Sequence, residues 1–139
     1  MQTEKPSREE LAAEVEQVLA CCTGSETLTR HWTGAIKYTD GIHLLAEKAG
    51  AFWLIDAIAS HQVSPRIRRN RSLQEFQLWQ LKVVSREHAG PDQPMAVLTC
   101  RCDSDTPIVV KQDIEYTDFP LDEIKLYVEG GVLLLPGEH

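Results

Sequence analysis

Histidines and aspartates that could take part in acid–base chemistry lie between residues 31 and 61 of this 139-residue chain. His31, Asp40, Asp56 and His61 would converge if a helix carrying Asp56 packed over a hairpin carrying His31. An aspartate that orients a histidine beside Ser60 would be the arrangement of a nucleophilic site. Linear spacing does not dictate such a meeting, so a catalytic site and ordinary helix chemistry both stay open.

Asp56 is the most unusual of these residues because it interrupts the apolar run FWLIDAIA. A carboxylate in such surroundings requires a hydrogen-bonding partner or a raised pKa. We expect a structural partner, which would be a backbone donor, Tyr38, Trp53 or an arginine. The alternative is a ligand site in a pocket between the helices and the first hairpin. Its side chains would be His31, Trp32, Tyr38, Asp56 and His61.

Metal binding is a second kind of chemistry to consider. His43 and Glu47 are four residues apart and would share one helix face, as two metal ligands on a helix must. The second histidine of the familiar zinc motif is missing, so a solvated pair is expected. Cys100 and Cys102 lack the C-x-x-C spacing typical of structural zinc and are interpreted as core. We therefore predict no metal and no cofactor.

An arginine-rich segment follows Ser64-Pro65 and contains Arg66, Arg68, Arg69 and Arg71. Arginine forks bind phosphate or carboxylate in paired fashion, so the segment could hold an anionic small ligand or an acidic partner protein. A solvated connector is the favoured interpretation. A further hypothesis is a homodimer, in which this connector meets acidic residues of a second copy. Those residues would be Asp103, Asp105, Asp113 and Glu115.

Large aromatic residues in the chain include Trp32, Phe52, Trp53 and Trp79. At helical or strand positions such residues usually belong to a core, and that is the expectation here. Three tryptophans in so short a chain also suit a cleft with an aromatic wall.

The helices that must position these side chains are indicated by apolar spacing. Ser7 and Glu10 have capping-box spacing, which predicts a first helix that ends at 23–25. Thr39 or Asp40 would cap the next helical stretch, and Gly50 would split it into two helices. Pro65 would stop helical propagation after Ser64, because its ring disfavours helix at the preceding residue.

Strands are predicted on both sides of the helical stretch. Residues 28–39 alternate around a Thr-Gly pair, which indicates a hairpin. Runs 75–84, 95–102 and 108–116 have period two, and the third run has one wet face. Gly130-Gly131 between two apolar runs predicts a closing hairpin. The fold class is therefore α+β, an antiparallel meander with a C-terminal hairpin and helices packed on one face.

Composition places further bounds on the chain, which is 42% hydrophobic and 25% charged. Its length predicts one domain that spans residues 1–139. With no apolar run of about 20 residues and no signal segment, we expect a soluble cytoplasmic protein with reduced thiols and no membrane partner. The net charge is −7, with basic residues concentrated in 62–91. This distribution argues against general nucleic-acid binding.

Three motifs stand out together: Arg30-His31-Trp32, the YTDG of residues 38–41 and the run LAEKAGAFWLIDAIAS of residues 45–60. They resemble a small bacterial family of uncharacterised proteins, met in plasmid-borne and phage-borne genes. The similarity covers most of the chain, including Tyr127, Gly131 and Leu134. It implies carriage on mobile elements but no activity, cofactor or catalytic residue.

Two functions remain as hypotheses. The first is a small non-enzymatic binding or interaction protein, because no nucleophile–base spacing, phosphate loop or metal cluster stands out. Carriage on mobile elements would give it a role in modulating a host system. The second is a small-ligand binder or hydrolytic enzyme that uses the His/Asp pocket. A concave pocket that holds at least two of His31, Asp56 and His61 would favour the second.

Overall fold

A computed structural model describes residues 8–21, 28–85, 94–103, 105–115, 117 and 119–136. The described residues form five helices and one seven-stranded sheet. The helices are α1 (Arg8–Cys21), α2 (Asp40–Ala49), α3 (Phe52–His61), α4 (Pro65–Arg68) and α5 (Arg71–Glu75). The strands are β1 (Leu28–Arg30), β2 (Lys37–Thr39), β3 (Phe76–Val83), β4 (Ala96–Arg101), β5 (Val110–Ile114), β6 (Glu123–Glu129) and β7 (Val132–Leu134).

The first helix occupies the predicted region, and it buries Val15 and Val18. Its predicted cap at Ser7 and its predicted stop at 23–25 lie outside the described residues. Within the described part of the chain, no helix is long and apolar enough to cross a bilayer.

The predicted helix pair is confirmed, with α2 and α3 on either side of Gly50. Thr39 Oγ1 accepts the N–H of Ile42 at 3.2 Å and caps α2. Gly50 has φ +64°, the left-handed conformation that ends helices and that glycine adopts without strain. The chain therefore turns sharply between the helices, and α3 takes its own direction.

The predicted connector after α3 is wrong, because these residues form α4 and α5. Ser64 caps α4 through its hydroxyl, and Pro65 occupies the first helical position. Proline disfavours helix at the residue before it but suits the first helical turn, where no N–H donor is needed. Asn70 caps α5 by accepting the N–H of Leu73 at 3.1 Å. Both helices are too short to show a helical period in the sequence.

The strand order is β1-β2-β7-β6-β3-β4-β5, and the α+β prediction is confirmed. β3, β4 and β5 form an antiparallel meander. β6 pairs with the other side of β3 and forms the predicted closing hairpin with β7. The first hairpin joins the same sheet because β2 pairs with β7 in parallel. Gly130 and Gly131 both have positive φ, as a tight primed turn requires.

One face of the sheet is buried under the helices and the other is wet. Trp79, Leu98 and Leu126 alternate onto the buried face and pack in the same core as Leu54 and Ile58 of α3. The wet face presents exposed charged side chains from β3, β5 and β6. These are Lys82, Lys111, Asp113, Glu123, Lys125 and Glu129.

Candidate functional site

Asp56 of α3 meets the turn that follows β1. His31 Nε2 lies 2.6 Å from Asp56 Oδ1. Trp32 Nε1–H donates to the same oxygen at 3.1 Å. Asp56 therefore joins a helix to a hairpin 25 residues earlier in the sequence. Its partners are His31 and Trp32. The expected partners, which were a backbone donor, Tyr38, Trp53 or an arginine, are not the ones found.

The two ring nitrogens of His31 have different roles. The backbone N–H of Thr33 donates to Nδ1 at 3.2 Å. A ring nitrogen that accepts a hydrogen bond carries no proton, so Nε2 carries the ring proton and donates it to Asp56. The His31 side chain is only 3% exposed. A local turn thus fixes the tautomer, and the ring presents Asp56 with a buried donor.

Asp56 Oδ2 is left for another partner. The carboxylate side chain is 53% exposed, and Oδ1 takes both protein donors. Among the described residues, Oδ2 has no hydrogen-bond donor. One carboxylate oxygen is therefore anchored while the other faces solvent.

A hollow of about 330 Å³ opens beside this carboxylate, and we call it the Asp56 hollow. It is lined by Arg30, His31, Trp32, Tyr38, Phe52, Ile55 and Asp56. Trp32 is 81% exposed and Phe52 is 43% exposed at its margin. The ring of His43 lies parallel to Tyr38, 6.3 Å between centroids, and meets Phe52 edge-on at 5.6 Å. The hollow thus combines aromatic surfaces with an accessible carboxylate oxygen.

Four of the predicted site residues line this hollow, namely His31, Trp32, Tyr38 and Asp56. The criterion of a concave pocket with two of the three acid–base candidates is met by His31 and Asp56. Trp79 is core as expected, whereas the expectation of a core position is wrong for the exposed Trp32 and Phe52. The indole N–H of Trp32 is held by Asp56 Oδ1, while most of the side chain remains exposed.

The other predicted site residues lie elsewhere. His61 Nε2 is 2.7 Å from Gln112 Oε1, and its ring contacts Trp79. Asp56 and His61 are five positions apart, which separates their directions by about 140° around a helix. Arg66 and Arg68 are exposed on α4, and Arg69 is exposed directly after it. None of these four residues lines the Asp56 hollow.

Sequence reasoning missed two residues that line the hollow, Arg30 and Ile55. It also missed Thr33, which holds the His31 ring. Arg30 precedes His31 at the end of a three-residue strand, where alternation is too short to show a face. Ile55 is the buried neighbour of Asp56. The signal that could have found Arg30 is its position in the Arg30-His31-Trp32 motif.

Thr33, His31 and Asp56 stand in the order of a nucleophile, a base and a carboxylate. This arrangement is nevertheless poorly placed for catalysis. Thr33 Oγ1 lies 2.7 Å from His31 Nδ1, on the side opposite Asp56. Thr33 does not line the hollow, and its own N–H shares the same lone pair of Nδ1. The hydroxyl also accepts the N–H of Ala35 at 3.3 Å. The proposed nucleophile Ser60 donates its hydroxyl to the Ala57 carbonyl at 2.7 Å.

Cys100 lies in β4 and Cys102 directly after it, and their thiols differ in exposure. Cys100 is buried, and burial raises the pKa of its thiol to about 12, with a smaller contribution from Cys102. Cys102 is partly exposed, and both cysteines are free. In the described residues, no group of three or more histidine, cysteine or acidic side chains is arranged to hold a metal ion.

Fold and hollow together define a small α+β protein with an aromatic-lined surface cavity. The chain belongs to a family of unknown function (DUF6876), whose model matches residues 13–139. No curated protein and no solved structure matches the chain. The family assignment therefore agrees with the resemblance to an uncharacterised family and adds no activity.

Proposed function

We propose that this protein binds a small ligand in the Asp56 hollow without transforming it. The observation that carries the proposal is a half-exposed carboxylate in the lining of an aromatic-walled cavity, with Oδ1 anchored by two protein donors and Oδ2 without a donor among the described residues. Ligand pockets of proteins combine apolar walls with a few fixed polar groups in this way, and about 330 Å³ falls at the lower end of their usual volumes. The ligand would donate a hydrogen bond or present a positive charge to Oδ2.

The geometry supports binding better than hydrolysis. A histidine that acts as a general base needs a ring nitrogen within reach of the reacting group. Asp56 and the Thr33 turn occupy both nitrogens of His31, and the Thr33 hydroxyl lies outside the lining of the hollow. Pre-arranged donors on one carboxylate oxygen are an economical way to hold a recognition group in a single orientation.

Nuclear magnetic resonance of the tryptophan indole N–H groups would test the proposal. The chain has three tryptophans, so a Trp32→Phe variant assigns the Trp32 signal. Titration with a library of small amines and aromatic compounds should shift the Trp32 signal selectively. Asp56→Asn should weaken the binding of any amine hit by about tenfold, the value of one charge-assisted hydrogen bond.

Val63→Ala provides a matched control for that titration. Val63 is an exposed apolar residue just beyond the far end of α3, and it does not line the hollow. Its truncation should leave binding unchanged. If no library compound moves the Trp32 signal, or if Val63→Ala weakens binding as much as Asp56→Asn, the proposal is wrong.

A protein partner is the second candidate function, favoured by the 81% exposed Trp32. Exposed tryptophan and arginine often anchor protein interfaces, and Arg66, Arg68 and Arg69 add exposed positive charge. Homodimer formation through these arginines stays a prediction that salt-sensitive light scattering would test. The same proposal includes bacterial origin, carriage on mobile elements, modulation of a host system and a cytoplasmic location.

A further inference from the structure

β5 lies at one edge of the sheet, and among the strands that the structure describes its only neighbour is β4. The Cys100 carbonyl accepts the N–H of Val109 at 2.8 Å, so the backbone of Cys100 is directed toward β5. Hydrogen-bonded and non-hydrogen-bonded pairs alternate along an antiparallel ladder. Leu98 and its partner Gln112 therefore form the next hydrogen-bonded pair. The even-numbered residues of β5 thus join this strand to the sheet.

Lys111 and Asp113 are the odd-numbered residues within this strand, and their backbone N–H and C=O groups point away from β4. Among the described residues, no group pairs with them on that side. Unpaired backbone groups at a sheet edge are a template for a further strand. Both side chains are exposed on the wet face, and neither forms an ion pair with another described residue.

The charges of these two residues decide which strand fits the edge. A lysine in an edge strand ordinarily opposes pairing with a second strand. Two antiparallel copies of β5 related by a two-fold axis can be centred on Lys111, on Asp113 or on Gln112. The first register sets two lysines opposite each other, and the second sets two aspartates opposite each other. Only the register centred on Gln112 sets each lysine opposite an aspartate, and opposed unlike charges stabilise a strand pair.

From this pattern we infer that the outer edge of β5 is an interface for a second copy of this chain. The two β5 strands run antiparallel about a two-fold axis at Gln112, and Lys111 exchanges backbone hydrogen bonds with Asp113 of the partner subunit. Such a self-complementary contact closes after two copies, so it does not propagate into a fibre. A contact centred on one five-residue strand is small, and small interfaces associate weakly.

Sedimentation velocity of charge-reversed variants would test the inference in about 0.1 M salt, where charges more than about 10 Å apart are screened. The parent chain should form a reversible dimer at high protein concentration. Lys111→Asp sets acids opposite acids, and Asp113→Lys sets lysines opposite lysines. Each variant should therefore weaken the dimer about tenfold or more, since two attractions become two repulsions.

A mixture of the two variants provides the decisive comparison. Lys111→Asp mixed with Asp113→Lys should associate about as tightly as the parent chain, because each facing pair again combines a lysine with an aspartate. One chain that carries both substitutions should also recover the dimer. Lys125→Asp is the matched control, because it makes the same change in net charge on β6, away from the edge, and should leave the dimer unchanged.

Backbone hydrogen exchange would show that the strand edge itself is the contact. The N–H groups of Lys111 and Asp113 should exchange with solvent more slowly at concentrations at which the chain is dimeric than in dilute solution. The N–H of Gln112 serves as an internal control, because it is directed toward β4 in both states. Equal exchange of the Lys111 and Asp113 N–H groups at both concentrations would overturn the inference.

The remaining outcomes separate this interface from the arginine-mediated dimer and from the proposed function. A parent chain that stays monomeric at about 1 mM overturns the inference, and so do mixed variants that fail to associate. A dimer that Lys111→Asp leaves unchanged or strengthens also overturns it, because arginines that meet Asp113 would give that result. Ligand binding in the Asp56 hollow is measured on the dilute monomer, so either proposal can fail without the other.

Discussion

Asp56 links stability and recognition at the scale of single residues. Its Oδ1 satisfies the N–H of His31, which is only 4% exposed, and the N–H of Trp32. Its unusual position in an apolar run marked it in the sequence. Its partners were not predictable, because a contact across 25 residues depends on how the hairpin and helix pack.

Replacement of Asp56 tests this dual role. Asp56→Ala leaves the buried N–H of His31 without an acceptor, so the free energy of unfolding should fall by about 1–3 kcal/mol. Asp56→Asn keeps an oxygen acceptor and should cost about 1 kcal/mol or less. Urea denaturation measures both. Equal stability of the alanine variant and the parent protein would contradict the assigned hydrogen bonds.

The two thiols near the end of β4 should react differently. Native Cys100 should resist alkylation at pH 8, because it is buried and its thiol pKa is raised to about 12, whereas Cys102 is partly exposed. Trypsin cleaves after Arg101 and separates the two cysteines for mass spectrometry. Equal labelling of Cys100 and Cys102 in the native protein would contradict the assigned burial.

The raised pKa of the Cys100 thiol makes the free energy of unfolding depend on pH in the alkaline range. An ordinary cysteine has a pKa of 9.0, so from that pH to about 12 the folded protein retains a proton that the unfolded chain has lost. The contribution of Cys100 is therefore complete below pH 9 and is lost as the pH rises toward 12. Denaturation at pH 8 and pH 10 should show this fall, and Cys100→Ala should reduce it. An undiminished fall in that variant would assign the effect to other groups.

At the scale of elements, local rules predicted the helix and turn positions that set the orientation of the site. Gly50, Thr39 and the Gly130-Gly131 pair act through their own backbone geometry or short-range hydrogen bonds. The short helices α4 and α5 were missed because their stability depends on the burial of Ile67 and Leu73, a tertiary effect.

Gly50 offers a clean test of the junction between α2 and α3. No atom lies within 4 Å of the position a Cβ would take, so Gly50→Ala should act only through its positive φ. We expect a loss of about 1 kcal/mol in unfolding free energy. Gly50→Asn should lose less, because asparagine tolerates this conformation. Unchanged stability in Gly50→Ala would show that the junction relaxes to another conformation.

For the whole molecule, the parallel pairing of β2 with β7 connects the first hairpin to the main sheet. This pairing brings together strands more than 90 residues apart and leaves no local signal, so the sequence predicted the fold class but not the strand order. The position of the first hairpin in the sheet depends on this pairing. The hairpin would otherwise not lie next to the Gly130-Gly131 turn.

This connection predicts a single cooperative unfolding transition, as expected for one domain. Indole signals report on two distant regions, because Trp32 lies in the hairpin turn and Trp79 in the core. Both signals and the helical circular dichroism should share one urea midpoint. An earlier transition of Trp32 would mean that the hairpin unfolds separately from the sheet.

The central claim is that the Asp56 hollow is a ligand site, and a crystal structure with the tightest-binding aromatic amine of the library would test it most directly. The account predicts the ligand cation at hydrogen-bond distance, about 3 Å, from Asp56 Oδ2, with the aromatic ring against Trp32. A ligand bound elsewhere, or a hollow filled by the protein's own side chains, would contradict it.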